Sequence, residues 1–225
     1  MREGCIAPGR ERVGLTLSSG VSLEVDAAMI AAGRKSNTAR LNLAAAGLTA
    51  GERGLIAVNA CFQTQVKHIY AAGDVIGPPA LASTSMEQAR HAMRHAFGDL
   101  SVSQIAPILP TGVYTIPEIG MIGETEEQLK AKGVPYVAGR APYDRNARGK
   151  IIGDSNGMLK LLFYRDDWKL LGVHAIGEQA TELVHIGLIG MLSNGTARLF
   201  DQACFNIPTL GQLYKQAAFD ALRQA

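Results

Sequence analysis

His68-Ile69-Tyr70-Ala71-Ala72-Gly73-Asp74-Val75, continuing into Ile76-Gly77-Pro78-Pro79, is the stretch whose reading decides the fold. A short apolar run ending in Gly-Asp suits a buried parallel strand that delivers one carboxylate to its carboxyl end, the edge at which open α/β sheets bind ligands. There Asp74 can accept hydrogen bonds from sugar-like hydroxyls, and Gly73 leaves room for a ligand chain beside the backbone. Ala80-Leu81-Ala82-Ser83 then opens a helix. The arrangement points toward a nucleotide cofactor. A plainer alternative stands beside it: Gly33 and Gly73 end strands, and Asp74 caps the loop that follows.

Working outward, Val13, Leu15 and Leu17, then Val21, Leu23 and Val25, alternate at period two around Ser18-Ser19-Gly20 and predict a β-hairpin. Ala27-Ala28-Met29-Ile30-Ala31-Ala32 is a continuous apolar run of the kind found in a strand covered on both faces, stopped at Gly33-Arg34. Asn37-Thr38 caps a short helix that Gly47 stops, and Leu55-Ile56-Ala57-Val58 reads as a brief strand. Residues 83–98 predict a helix whose inward face holds Met86, Ala89, Met93 and Phe97. Residues 99–110 have no clear period and read as a linker at a domain boundary.

Beyond the linker the pattern changes. Strands are expected over 112–116, 137–141, 158–164 and 169–175, the last two joined by a turn at Arg165-Asp166-Asp167-Trp168. Helices are expected over 124–130, 181–193 and 210–223, with Glu126 and Glu127 at the amino end of the first, where the macrodipole favours them. Asp144, Arg145, Arg148 and Lys150 read as a solvated charged loop. Antiparallel strands followed by helices make this part α+β, whereas the first hundred residues read as an α/β segment.

Composition excludes several classes. The chain has 225 residues, 47% hydrophobic and 19% charged, an ordinary balance for a globular protein. Its 22 basic and 20 acidic residues are scattered, so a nucleic-acid phosphate backbone is not its partner. No 18-residue apolar run is present and the amino terminus lacks the apolar region of a secretory signal, so no membrane partner is expected and the cytoplasm is the default location. Cys5, Cys61 and Cys204 are too few and too far apart for a disulfide framework or a metal site. His91 and His95 form an i, i+4 pair without a third ligand and read as a solvated helix face. His174 and His185 read as core or interface histidines, and Tyr114 and Tyr214 as aromatics for an interface.

Gly33-Arg34 after an apolar strand, Thr64 followed at ten residues by Asp74, Leu81-Ala82 opening a helix, and a tail with Pro208-Thr209 together resemble the carboxy-terminal half of the pyridine nucleotide-disulfide oxidoreductase family, the flavoproteins with two dinucleotide-binding domains. Within that family the stretches Gly33-Arg34-Lys35-Ser36-Asn37-Thr38, Pro110-Thr111-Gly112-Val113-Tyr114-Thr115-Ile116-Pro117-Glu118-Ile119 and Phe205-Asn206-Ile207-Pro208-Thr209 are most similar to the soluble, Si-specific pyridine nucleotide transhydrogenases. The resemblance implies FAD and NAD(P) as cofactors. It implies that residues 1–35 end an NAD(P)-binding domain, 36–106 form the second segment of a split FAD-binding domain, and 107–225 form a dimerisation domain. As cofactor-binding residues it implies Asp74 for the ribityl chain, Gly73 for close backbone approach, Leu81, Ala82 and Ser83 for the flavin's pyrimidine edge, and Gly33 near the nicotinamide cofactor.

The resemblance also implies a homodimer through residues 107–225, and it leaves room for an amino-terminal half supplied as a separate chain. Two departures matter. The glycine-rich G-x-G-x-x-G turns are not in this sequence, so FAD binding by these residues alone is expected to be weak, and the apolar runs 27–32 and 69–72 are expected to lack neighbouring strands. The His and Glu that disulfide reductases place around Pro-Thr are here Ile207 and Gln212, which exchange no proton near neutral pH. No catalytic side chain is therefore expected. Transhydrogenation by way of flavin needs none, and a catalytically incomplete dimerisation module is the alternative.

Overall fold

The computed structural model describes residues 12–98 and 107–224. The linker expected at 99–110 lies mostly outside the described residues. In the first part, strands β1 (Val13–Thr16) and β2 (Ser22–Val25) pair antiparallel with Leu15 opposite Leu23, the hairpin that period-two alternation predicts. Next come short 3-10 turns at Leu43–Ala46, Glu52–Gly54 and Gly73–Ile76, then one long helix, α1 (Ala82–Ala96). Gly47 ends the first turn in the left-handed conformation, as expected of a stop, but the turn is shorter than the helix predicted from Asn37-Thr38.

Three expected strands do not form. Residues 27–32 and 55–58 have no ladder partner, and around residues 69–72 only a single bridge, Tyr70 to Gln63, is made. A parallel strand takes its hydrogen bonds wholly from neighbours; here Ile56 N donates to Val75 O and Ala71 N to Phe62 O as isolated contacts, and among the described residues no strand lies beside these runs. Met29 and Ile30 are consequently 91% and 76% exposed. The buried face of α1 is also a correction: Thr84, Gln88 and Ala92 point inward, while Met86, Met93 and Phe97 are exposed. His91 and His95 are only partly exposed, because Phe62 meets the His91 ring edge-on and Tyr70 Oη lies 2.9 Å from His95 Nδ1.

The second part is one antiparallel sheet in the order β3-β4-β7-β6-β5, made of β3 (Thr111–Val113), β4 (Ile119–Gly123), β5 (Tyr136–Pro142), β6 (Met158–Tyr164) and β7 (Leu170–Ile176). The sequence reading missed β4. Gly120 in its middle admits the carbonyl of Ala180 where a Cβ would collide with it, so the residue that weakens the strand signal is the one packing requires. Leu159, Leu161 and Phe163 alternate onto the main core with Val173 and Ala175, under α4 (Ala180–Leu192) and α6 (Leu213–Leu222). Leu162, on the opposite face, meets Ala138 and Leu129 beneath α2 (Glu126–Ala131). α2 opens with a reciprocal cap in which Thr125 Oγ1 accepts from Gln128 N and Gln128 Oε1 accepts from Thr125 N.

Two short helices complete the fold. The stretch read as a charged loop is a 3-10 turn at Tyr143–Arg145 followed by α3 (Ala147–Ile152), which is fixed by the buried Asn146, whose Oδ1 accepts from the amides of Arg148 and Gly149 at 2.9 and 3.1 Å. The other is α5 (Ala197–Gln202). Tyr214, expected at an interface, is instead core: its hydroxyl donates to Leu183 O and accepts from Gly187 N, joining α6 to α4. His174 is largely buried on β7, whereas His185 is exposed on α4.

Candidate cofactor cleft

Gly73 decides how Asp74 is presented. Its φ of +80° is a left-handed conformation that glycine adopts freely, its buried amide donates to Gln88 Oε1 at 2.7 Å, and an added Cβ would run into the Ser85 side chain. The turn is thereby seated against α1. Asp74, the next residue, is half-exposed and faces a cleft of about 510 Å³, within the range of small-molecule sites.

Three separate segments build the walls. Arg34 Nη1 donates to Asp74 Oδ2 at 2.9 Å, and Ser36 Oγ donates to Asp74 O at 3.1 Å. Arg53 Nη2 donates to Arg34 O at 2.7 Å, and Arg53 O accepts from Ser36 N at 3.0 Å. Ile56 N donates to Val75 O at 2.8 Å, and Thr38 Oγ1 to Gly54 O at 2.6 Å, so residues 34–38, 53–56 and 73–77 hold one another. Arg34, Lys35 and Arg53 face one carboxylate, Asp74, across the cleft. That balance suits a ligand carrying both anionic groups and hydroxyls.

The sequence-derived residues fall unevenly around this cleft. Asp74 lines it, and Gly73 sits directly behind. Gly33, at φ +136°, adjoins the wall through Arg53, whose Nη2 is 3.4 Å from where a Cβ would stand. Leu81 is the N-cap of α1 and Ala82 and Ser83 its exposed first turn, with no side chain capping the amides there, but none of the three lines the cleft. Sequence reasoning missed Arg53 and Gln88. Gln88 was legible in one respect, since Thr84, Gln88, His91 and His95 share one helical stripe.

No group of His, Cys, Asp and Glu suited to a metal occurs among the described residues. Cys61 and Cys204 are free thiols, and Ile207 is 61% exposed near Gln212, with no carboxylate or imidazole in their place. The cleft can bind and orient, with donors from Arg34, Lys35, Ser36 and Arg53 and a carboxylate acceptor from Asp74.

Residues 5–96 match the profile of the pyridine nucleotide-disulphide oxidoreductases, and residues 109–218 match the dimerisation domain of the same family. The chain belongs to the pyridine nucleotide-disulphide oxidoreductase family. As in that family, a mixed α/β segment precedes an α+β dimerisation domain. Among curated relatives of this oxidoreductase family, it is 49% identical over 93% of its length to a soluble pyridine nucleotide transhydrogenase of Mycobacterium tuberculosis, of which it covers 44%. It is 44% identical over 92% of its length to the protein of that name from a Marinomonas species, covering 45%.

Solved oxidoreductases agree. LpdA from Mycobacterium tuberculosis superposes with a TM-score of 0.79 at 28% identity, covering 92% of this chain and 45% of LpdA. The flavoprotein disulfide reductase RclA from Escherichia coli shares the fold with a TM-score of 0.84 at 24% identity, covering 94% of this chain and 48% of RclA. The chain thus spans about half the length of the relatives it matches. In each of them the other half belongs to the same polypeptide, which gives no support to an amino-terminal half supplied as a separate chain. Among the described residues no helix is long and apolar enough to cross a membrane.

Proposed function

We propose that this chain forms the carboxy-terminal part of an FAD-dependent soluble pyridine nucleotide transhydrogenase of the cytoplasm. The observation that carries the reading is identity of 43–49% to proteins of that name across more than nine-tenths of the chain. In this reading residues 1–35 close the NAD(P)-binding domain, 36–106 complete the FAD-binding domain, and 107–225 pair two copies. When bound, FAD supplies a two-electron carrier between NADPH and NAD⁺.

The residues present fit that group. Asp74 offers carboxylate lone pairs to ribityl hydroxyls, with Arg34 holding one of its oxygens, and Gly73 keeps the backbone clear of a side chain. The cations at Arg34, Lys35 and Arg53 favour phosphates. Leu81, Ala82 and Ser83 offer the uncapped amides of α1 to a ring edge that gains negative charge on reduction, a placement favoured by the helix dipole. Gly33 leaves space beside the nicotinamide cofactor. With Ile207 and Gln212 where disulfide reductases carry an acid–base pair, these residues move no proton.

Homodimer formation is supported by the outer face of α4, where Ile189 and Leu192 are 63% and 45% exposed beside His185. A non-enzymatic dimerisation module is the second reading, favoured by the self-contained core of residues 107–224.

Fusing the amino-terminal half of the Mycobacterium tuberculosis relative to this chain separates the two. The transhydrogenase reading expects a yellow dimer that reduces NAD⁺ with NADPH, with Asp74→Ala weakening FAD binding about tenfold for one lost charge-assisted hydrogen bond. A folded dimer that stays colourless in excess FAD sinks it.

A further inference from the structure

A second cleft, of about 310 Å³, lies between the end of β5, the turn at residues 143–145 and the outer side of α6, away from the Asp74 cleft. Arg140, Arg145 and Arg223 converge on it, with one carboxylate, Asp220. That carboxylate is already engaged: its Oδ2 accepts from the backbone amide of Arg140 at 2.8 Å and lies 3.5 Å from Gln224 Nε2. Arg140 is engaged too, through Nη2 to Glu126 Oε1 at 3.0 Å. Among the described residues Arg145 and Arg223 have no ion-pair partner. Two guanidinium groups thus line one small cavity, and among the described residues no carboxylate forms an ion pair with either.

The rest of the lining is apolar. Phe219 is 44% exposed, with Lys215 Nζ 5.9 Å from its ring centre, and Pro142 and Ala141 complete the wall. The walls are tied together, because Gln216 Nε2 on α6 donates to Arg145 O at 3.4 Å. Paired guanidinium forks match the oxygens of a phosphate, and a phosphate monoester carries close to two negative charges near neutral pH. A phenylalanine face beside them accepts a flat apolar group. The volume, at the low end for small-molecule sites, suits a small ligand.

We propose that this cleft binds a small phosphate monoester with a flat apolar body, held by Arg145 and Arg223 and stacked against Phe219. The proposal is independent of flavin binding and of the transhydrogenase reading.

Calorimetric titration of the chain with phenyl phosphate, inorganic phosphate and phenol tests it. Phenyl phosphate is expected to saturate one site per chain, inorganic phosphate to bind more weakly, and phenol not to bind. The double variant R145A/R223A alters two exposed side chains, so its circular dichroism should match the parent, and it is expected to weaken phenyl phosphate at least tenfold or so. F219A should bring phenyl phosphate to the level of inorganic phosphate, while K150A, an exposed cation outside the cleft, should change nothing. The proposal is overturned by an absence of saturable binding up to about 10 mM, a ceiling of under 3 kcal/mol in affinity. It is equally overturned if K150A weakens binding as much as R145A/R223A, or if F219A leaves the preference for phenyl phosphate intact.

Discussion

Residues 12–98 and 107–224 come from one chain with one overall composition, yet only the second part closes a core of its own. There Leu159, Leu161, Leu162 and Phe163 are all fully buried along a single strand. In the first part the buried set is sparse and largely polar, with Thr38, Thr64, Thr84 and Gln88 among Leu48, Ile56 and Ala92, while Met29, Ile30, Met86 and Phe97 face outward. Antiparallel strands joined by tight turns find their partners locally; parallel strands need partners from elsewhere. The second part therefore satisfies most of its backbone and core from within itself, whereas the described residues of the first part leave several apolar side chains uncovered.

The sharpest way to break this contrast is at a glycine. Gly139→Ala on β5 would drive a Cβ into the carbonyl of Ala217 on α6, which has no side-chain freedom to yield, and should cost more than about 3 kcal/mol. Gly14→Ala on β1 meets nothing within 4 Å and should leave the thermal melt unchanged. Leu161→Ala should cost about 3 kcal/mol in urea denaturation, against less than about 0.5 kcal/mol for Met29→Ala. Equal losses for that pair would mean that residues 27–32 are covered after all.

A gentler probe is acid. His174 on β7 faces Lys160, Glu126 and Glu127, and burial, then the Lys160 charge, lowers its pKa from 6.5 to about 4. Both ring nitrogens lack partners, so the folded protein keeps the ring neutral while the unfolded chain protonates it below its ordinary pKa. Stability is fully present above pH 6.5 and declines as pH falls toward 4. Allowing for solvent screening, the decline should be on the order of 2 kcal/mol, and His174→Asn should flatten it in melts between pH 7 and 5.

The legible elements were those whose signal is complete within a few residues. The β6–β7 hairpin follows from alternation around Asp166-Asp167, and α2 from acidic residues at its start. β4 was hidden because Gly120 and Gly123 answer to packing rather than to strand preference, and α3 because its one decisive residue, Asn146, sits among charges. At the cleft, Gly73-Asp74 was legible as a turn presenting a carboxylate. Arg53 was not, since an arginine 21 positions upstream of Asp74 carries no local mark of a shared wall, and Arg34, though marked beside Gly33, gave no sign of its bond to Asp74.

The glycines that set the helices so close to the sheet have one more consequence. At Gly120 and Gly139 strand backbone faces helix carbonyl with no side chain between, and at Gly187 the α4 backbone rests on Val173 and the Tyr214 hydroxyl. Layers spaced by main-chain contact have no cushion of rotatable groups to compress. The outer surface of α4 is therefore a stiff platform: a body that docks there must match its contour at the outset, and imperfect fits are rejected rather than accommodated.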